Sequence, residues 1–87
     1  MKVVAKPIEM LAWFTCEGPP NPIRFKVTSE DDTFTVIKVD RVITKGLEKL
    51  AGNNMFVFKC QSNINGAEKI YEIKYDLRTC KWILFKI

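Results

Sequence analysis

Histidine is absent from this 87-residue chain, which removes the commonest general base, the Ser-His and Cys-His dyads and the commonest zinc ligand together. Cysteine is scarce. The three thiols, Cys16, Cys60 and Cys80, include no Cys-x-x-Cys pair, which excludes a zinc ribbon or a thioredoxin-type redox site. Their odd number and wide spacing suit reduced thiols better than a disulfide framework. Four glycines supply neither G-x-x-x-x-G-K-S/T nor G-x-G-x-x-G, so neither phosphate cradle is encoded. No apolar run approaches the roughly 20 residues of a membrane helix, and "MKVVAKPIEM" lacks the apolar core and cleavage site of a secretory signal. Glu30, Asp31 and Asp32 are adjacent acids, but no glycine-centred calcium loop with a distal Glu follows them. These absences lead us to expect a bacterial cytoplasmic protein with no cofactor, metal, membrane partner or enzymatic activity. A carboxylate-dependent enzyme would require a pocket holding a carboxyl of raised pKa.

What is present is a globular composition, 47% hydrophobic and 28% charged, that suits one domain over residues 1–87. Its core must be thin, because a domain of this size hides only about 60–65% of the surface its unfolded chain exposes. The formal charge of +4 is uneven: residues 1–43 carry six Lys/Arg and six Asp/Glu, residues 44–87 eight and four. The second half thus holds the whole excess, a bias toward anionic partners that also serves solubility.

The residue patterns favour strands. "IEMLAWFTC" ends in Trp, Phe and Thr, which suit a pleated surface, with Pro7 marking its beginning. "EGPPNP", Glu17 to Pro22, reads as a loop, since its prolines cannot donate to a ladder. Ile23, Phe25 and Val27 then alternate with Arg24, Lys26 and Thr28, the signature of a half-buried strand. "SEDD", Ser29 to Asp32, reads as a hairpin turn. In "TFTVIKVDRVIT" the apolar parity changes, which calls for a bulge or bend near Val36–Ile37. "KGLEKLAGN" spaces Leu47, Leu50 and Ala51 on one helical face, predicting a short helical turn near 46–51 ended by Gly52. "MFVFKCQS", "KIYEIKYDL" and "KWILFKI" follow. In the second of these Tyr71, Ile73, Tyr75 and Leu77 face inward and Glu72, Lys74 and Asp76 face water. The expected fold is all-β: a half-open or split barrel of about six mostly antiparallel strands, because closure is how so small a sheet hides its edges.

Function must then lie in surfaces. Arg24 and Lys26 share a face of the second strand, and pairing with the third brings Lys38 and Arg41 near. Four cations so placed could contact the phosphates of a nucleic acid or an acidic protein. Trp13, Tyr75 and Trp82 are of the kinds that small barrels use as stacking or partner surfaces, although a thin core also demands its aromatics for packing. "WILFKI" is apolar on both parities, which offers a contrasting reading: a structural protein that forms a homodimer through an exposed C-terminal strand edge.

The pair "PIRFKV" and "VIKVDRVI", carried by Pro22, Ile23, Arg24, Phe25, Val39, Asp40, Arg41 and Val42, resembles a strand pair of small uncharacterised bacterial domains, among them the YolD-like proteins. The resemblance covers about a quarter of the chain, residues 22–43. It implies a small barrel working beside DNA-repair or translesion polymerases, and it assigns no active site. The expected function is that of a non-catalytic accessory module contacting nucleic acid or an acidic partner through its basic strand face.

Overall fold

The computed structural model describes all 87 residues, Met1–Ile87. It contains seven strands: β1 Val3–Trp13, β2 Asn21–Thr28, β3 Phe34–Lys38, β4 Arg41–Leu50, β5 Asn53–Ile64, β6 Ala67–Asp76 and β7 Lys81–Lys86. Their order across the sheet is β3-β2-β1-β7-β6-β5-β4, with every pairing antiparallel. No helix is long and apolar enough to cross a membrane.

Two segments change partner along their length, and this produces the barrel. The first half of β1 pairs with β7, through Lys6↔Leu84 and Ile8↔Trp82, and its second half pairs with β2, through Glu9↔Lys26 and Leu11↔Arg24. Residues 34–50 repeat the manoeuvre. β3 pairs with β2 up to Arg24↔Lys38, and Val39 N then donates to Ile23 O at 2.8 Å. Asp40 N donates to Gln61 O at 3.1 Å, and β4 continues along β5. A three-stranded sheet, β1-β2-β3, is therefore joined to a five-stranded one, β1-β7-β6-β5-β4, through β1 and again at the Val39–Asp40 corner. This is the expected all-β split barrel. Its seven strands, against about six from the sequence, reflect the break at the corner, and the bend falls at Val39–Asp40 rather than at Val36–Ile37.

Strand parity fills the interior. Phe25, Ile37, Phe58, Cys60, Tyr71, Ile73, Tyr75, Trp82 and Leu84 form one buried cluster. Phe58 and Tyr75 lie 5.7 and 4.7 Å from Trp82, centroid to centroid. One polar chain crosses this core. The Ser62 hydroxyl donates to Lys38 O at 2.6 Å, so the Tyr71 hydroxyl, 2.6 Å from Ser62 Oγ, must donate to it. Both side chains are fully buried. They pin β3 to β5 beside the corner.

Several expectations are corrected. Residues 46–51 are not a helical turn: β4 runs to Leu50, which pairs with Asn53, and Ala51 and Gly52 at φ 50° and 78° make a two-residue hairpin loop. Both angles positive is the type I′ requirement, and the helical spacing of Leu47, Leu50 and Ala51 was incidental. Pro22 lies inside β2 opposite Ala12, tolerated beside a bulge at Leu11/Ala12, and Pro7 lies inside β1 rather than before it. The face of β6 expected to be wet buries Lys74 and Asp76, while Leu77 sits exposed in the following turn. The Lys74 ammonium reaches Glu48 at 3.2 Å and lies 3.7 Å from the centroid of the Phe85 ring. Finally, β7 is bonded to β1 on one side and β6 on the other. It is no edge, which removes the basis for a homodimer through an exposed C-terminal strand.

Candidate interaction face

The three-stranded sheet turns one face inward through Met10, Phe25 and Ile37, which stand opposite one another across β1, β2 and β3. The alternate residues must then point outward. They are Glu9 and Leu11 from β1, Arg24 and Lys26 from β2, and Phe34, Val36 and Lys38 from β3. The register places Leu11, Arg24 and Lys38 in one row and Glu9, Lys26 and Val36 in the next. A shallow groove of about 330 Å³ runs among Glu9, Leu11, Arg24, Lys26 and Val36.

Of the expected cations, Arg24, Lys26 and Lys38 are brought together. Lys26 is already engaged, with Nζ 2.8 Å from Glu9 and 4.8 Å from the centroid of the Phe34 ring. An ion pair this exposed contributes about 0–1 kcal/mol. Arg24 and Lys38 stand opposite each other with no acidic partner in reach. Two like charges facing across a ladder are unfavourable, so they leave an uncompensated positive spot. Arg41 does not join them. It lies beyond the corner on β4, opposite Gln61, beside Asp40, whose carboxylate accepts the Asn63 N–H at 2.8 Å.

The aromatic candidates divide. Tyr75 and Trp82 are core residues, each 8% exposed. Trp82 packs between Phe58 and Tyr75, leaving no ring face for a base. Trp13 is 66% exposed at the end of β1, and Phe14 beside it meets Tyr75 edge-on at 5.8 Å. Sequence reasoning missed Leu11, Phe34 and Val36, whose side chains are exposed on the outward face. The signal was available: once Ser29–Asp32 is a turn, hairpin pairing puts Phe34 and Val36 on the same side as Arg24 and Lys26.

Displaced pKa values are found in turns and in the core. Asp31, in the β2–β3 turn, is held below the usual range by the Thr33 hydroxyl. Asp76 is held low by the N–H of Arg78, assisted by that of Thr79. Tyr75 is raised by the neighbouring Cys80 thiol. Burial pushes Cys60 and Tyr71 up to about 12. The outward face of β1, β2 and β3 offers charge, apolar surface and, at β3, free backbone. Comparison with protein-family models, curated proteins and solved structures finds no match.

Proposed function

We propose that the protein is a non-catalytic binding module that docks an acidic protein segment on the outward face of β1, β2 and β3. One observation carries this reading: Arg24 and Lys38 face each other without acidic partners, flanked by exposed Leu11, Val36 and Phe34. Aliphatic side chains between free cations match a partner that alternates acidic and apolar residues. A nucleic acid would gain from the cations but not from Leu11 and Val36, which have no ring to stack on a base. Of the exposed aromatics of this sheet, Phe34 already lies beneath the Lys26 ammonium, and Trp13 stands at the end of β1, opposite Asn21.

The test is fluorescence anisotropy with a labelled peptide of alternating Glu and Val, run beside single- and double-stranded oligonucleotides at about 50 and 200 mM salt. The peptide should bind, weaken with salt, and weaken about three- to tenfold with Arg24→Ala or Lys38→Ala, as expected for a loss of about 0.7–1.4 kcal/mol. Preferential, steeply salt-dependent binding of an oligonucleotide would replace this reading with the nucleic-acid role that the YolD-like resemblance implies. Absence of binding to every probe would overturn the face as a site.

A further inference from the structure

In an antiparallel ladder, residues alternate between those that exchange hydrogen bonds with the neighbouring strand and those that turn N–H and C=O away from it. Ser29 N to Thr33 O at 2.7 Å and Val39 N to Ile23 O at 2.8 Å set this phase for the β2–β3 hairpin. Thr35 and Ile37 therefore face β2, whereas Phe34, Val36 and Lys38 turn their backbone groups to the other side. The Lys38 carbonyl is taken there by the Ser62 hydroxyl. No strand lies beyond Phe34 and Val36, because β3 ends the sheet.

A cavity of about 250 Å³ opens beside that edge, lined among others by Val27, Thr35, Ile37, Ile64 and Leu84. Thr35 pairs with Val27 on the inward side and is nevertheless exposed, since nothing covers this end of the barrel. β3 and β5 meet at Lys38 and Ser62 and have no ladder between them, so the cavity is the open end of a seam between β3 and Ile64. The other edge differs. From the Leu50↔Asn53 hairpin closure, β4 turns Lys45, Leu47 and Lys49 outward, and edge lysines are a common guard against strand addition. Between Phe34 and Ile37, β3 has neither a lysine nor a proline.

We infer that the partner adds a β-strand to the free edge of β3, with apolar side chains entering the cavity and acidic side chains on the outward side near Lys38 and Arg24. The backbone of Phe34 and Val36 supplies the hydrogen bonds, the open seam the apolar contact, and the two free cations the preference for acids. This rests on the acidic-partner reading and adds the conformation and position of what is bound.

The experiment uses the same labelled Glu/Val peptide and two versions of it, N-methylated on one or the other set of alternate residues. Val36→Pro removes an N–H that the β2 ladder does not use, so it blocks addition while sparing the hairpin. Expected are binding at least tenfold weaker to Val36→Pro, the same loss for one N-methylated peptide but not the other, and slowed exchange of the Phe34 and Val36 amides on binding. Equal binding of both methylated peptides would overturn strand addition even if Val36→Pro fails to fold. Unchanged binding by a folded Val36→Pro, with weakening by Arg24→Ala and Lys38→Ala, would overturn strand addition and leave the docking face standing. Dimerisation of the protein alone, lost in Val36→Pro, would overturn the acidic partner in favour of a second copy. No binding of the unmodified peptide would overturn both.

Discussion

The five-stranded and three-stranded sheets divide the buried apolar side chains unequally. The first supplies Phe58, Cys60, Tyr71, Ile73, Tyr75, Trp82 and Leu84 to the buried cluster, against Phe25 and Ile37 from the second. The second exposes Leu11, Trp13, Phe34 and Val36, as many large apolar side chains as the first leaves exposed in Val3, Leu47, Leu50 and Ile70, while it buries far fewer. Even the outward side of the five-stranded sheet is partly sealed, since Lys74 lies buried under Phe85 and against Glu48. Most of the buried apolar mass thus lies in one sheet, and the other adds little to it.

The largest test of that division is Phe58→Ala. Phe58 is fully buried and lies 5.7 Å from Trp82 and 6.5 Å from Phe56, centroid to centroid. Emptying such a site costs about 3–5 kcal/mol, a large part of the roughly 5–15 kcal/mol that holds a small domain together. Urea unfolding should show a collapsed midpoint. A loss below about 1 kcal/mol would place the stability elsewhere and dissolve the contrast between the sheets.

The seam between the sheets comes next. Ser62→Ala leaves the Tyr71 hydroxyl and the Lys38 carbonyl buried without their partner, a loss of about 1–3 kcal/mol. Tyr71→Phe should cost less, about 0.5–1.5 kcal/mol, because Ser62 keeps its bond to Lys38. The double variant should be no worse than Ser62→Ala, as expected when one change removes the group the other stranded. Equal single effects in urea would mean that the chain of hydroxyls does not run in the stated direction.

Burial of Cys60 and Tyr71 also sets the alkaline limit. Each is raised to about 12 in the fold, from ordinary values of 9.0 and 10.0. Above pH 9 the unfolded chain loses these protons while the fold retains them, so stability is full below that pH and falls as pH rises toward 12. Cys60→Ala should shift the onset of the alkaline loss upward, toward the Tyr71 range, in a pH series of thermal melts. An unchanged onset would separate this limit from the core of the five-stranded sheet.

Much of this was legible where strand parity is clean. Phe25 between Arg24 and Lys26, and Tyr71, Ile73 and Tyr75 in β6, were assigned inward by alternation alone, and the split barrel followed from strand count and length. What was hidden depends on long-range pairing. Leu47 and Leu50 mimic a helical face because β4 is read without β5 beside it. "WILFKI" looks like an edge because its partner β1 lies at the other end of the chain, and the same pairing is what buries Trp82. The cations were visible as residues, but Arg41 left their group only when the corner at Val39–Asp40 sent the chain to β5. Glu9, Leu11 and Val36 entered the face only through register, which a single strand does not disclose.

The smallest expected effect sharpens the comparison from the other side. Leu11→Ser and Val36→Thr change residues 55% and 54% exposed on the outward face of β1–β3, and surface changes of this kind stay within about 0.5 kcal/mol of the parent. Their unfolding curves should therefore overlie it. The same substitutions should weaken peptide binding, because each removes apolar surface that burial against a partner would reward at about 25 cal/mol per Å². A stability loss approaching that of Phe58→Ala would show these side chains packed in the free protein. The outward face would then be a second core layer rather than a surface held open for a partner.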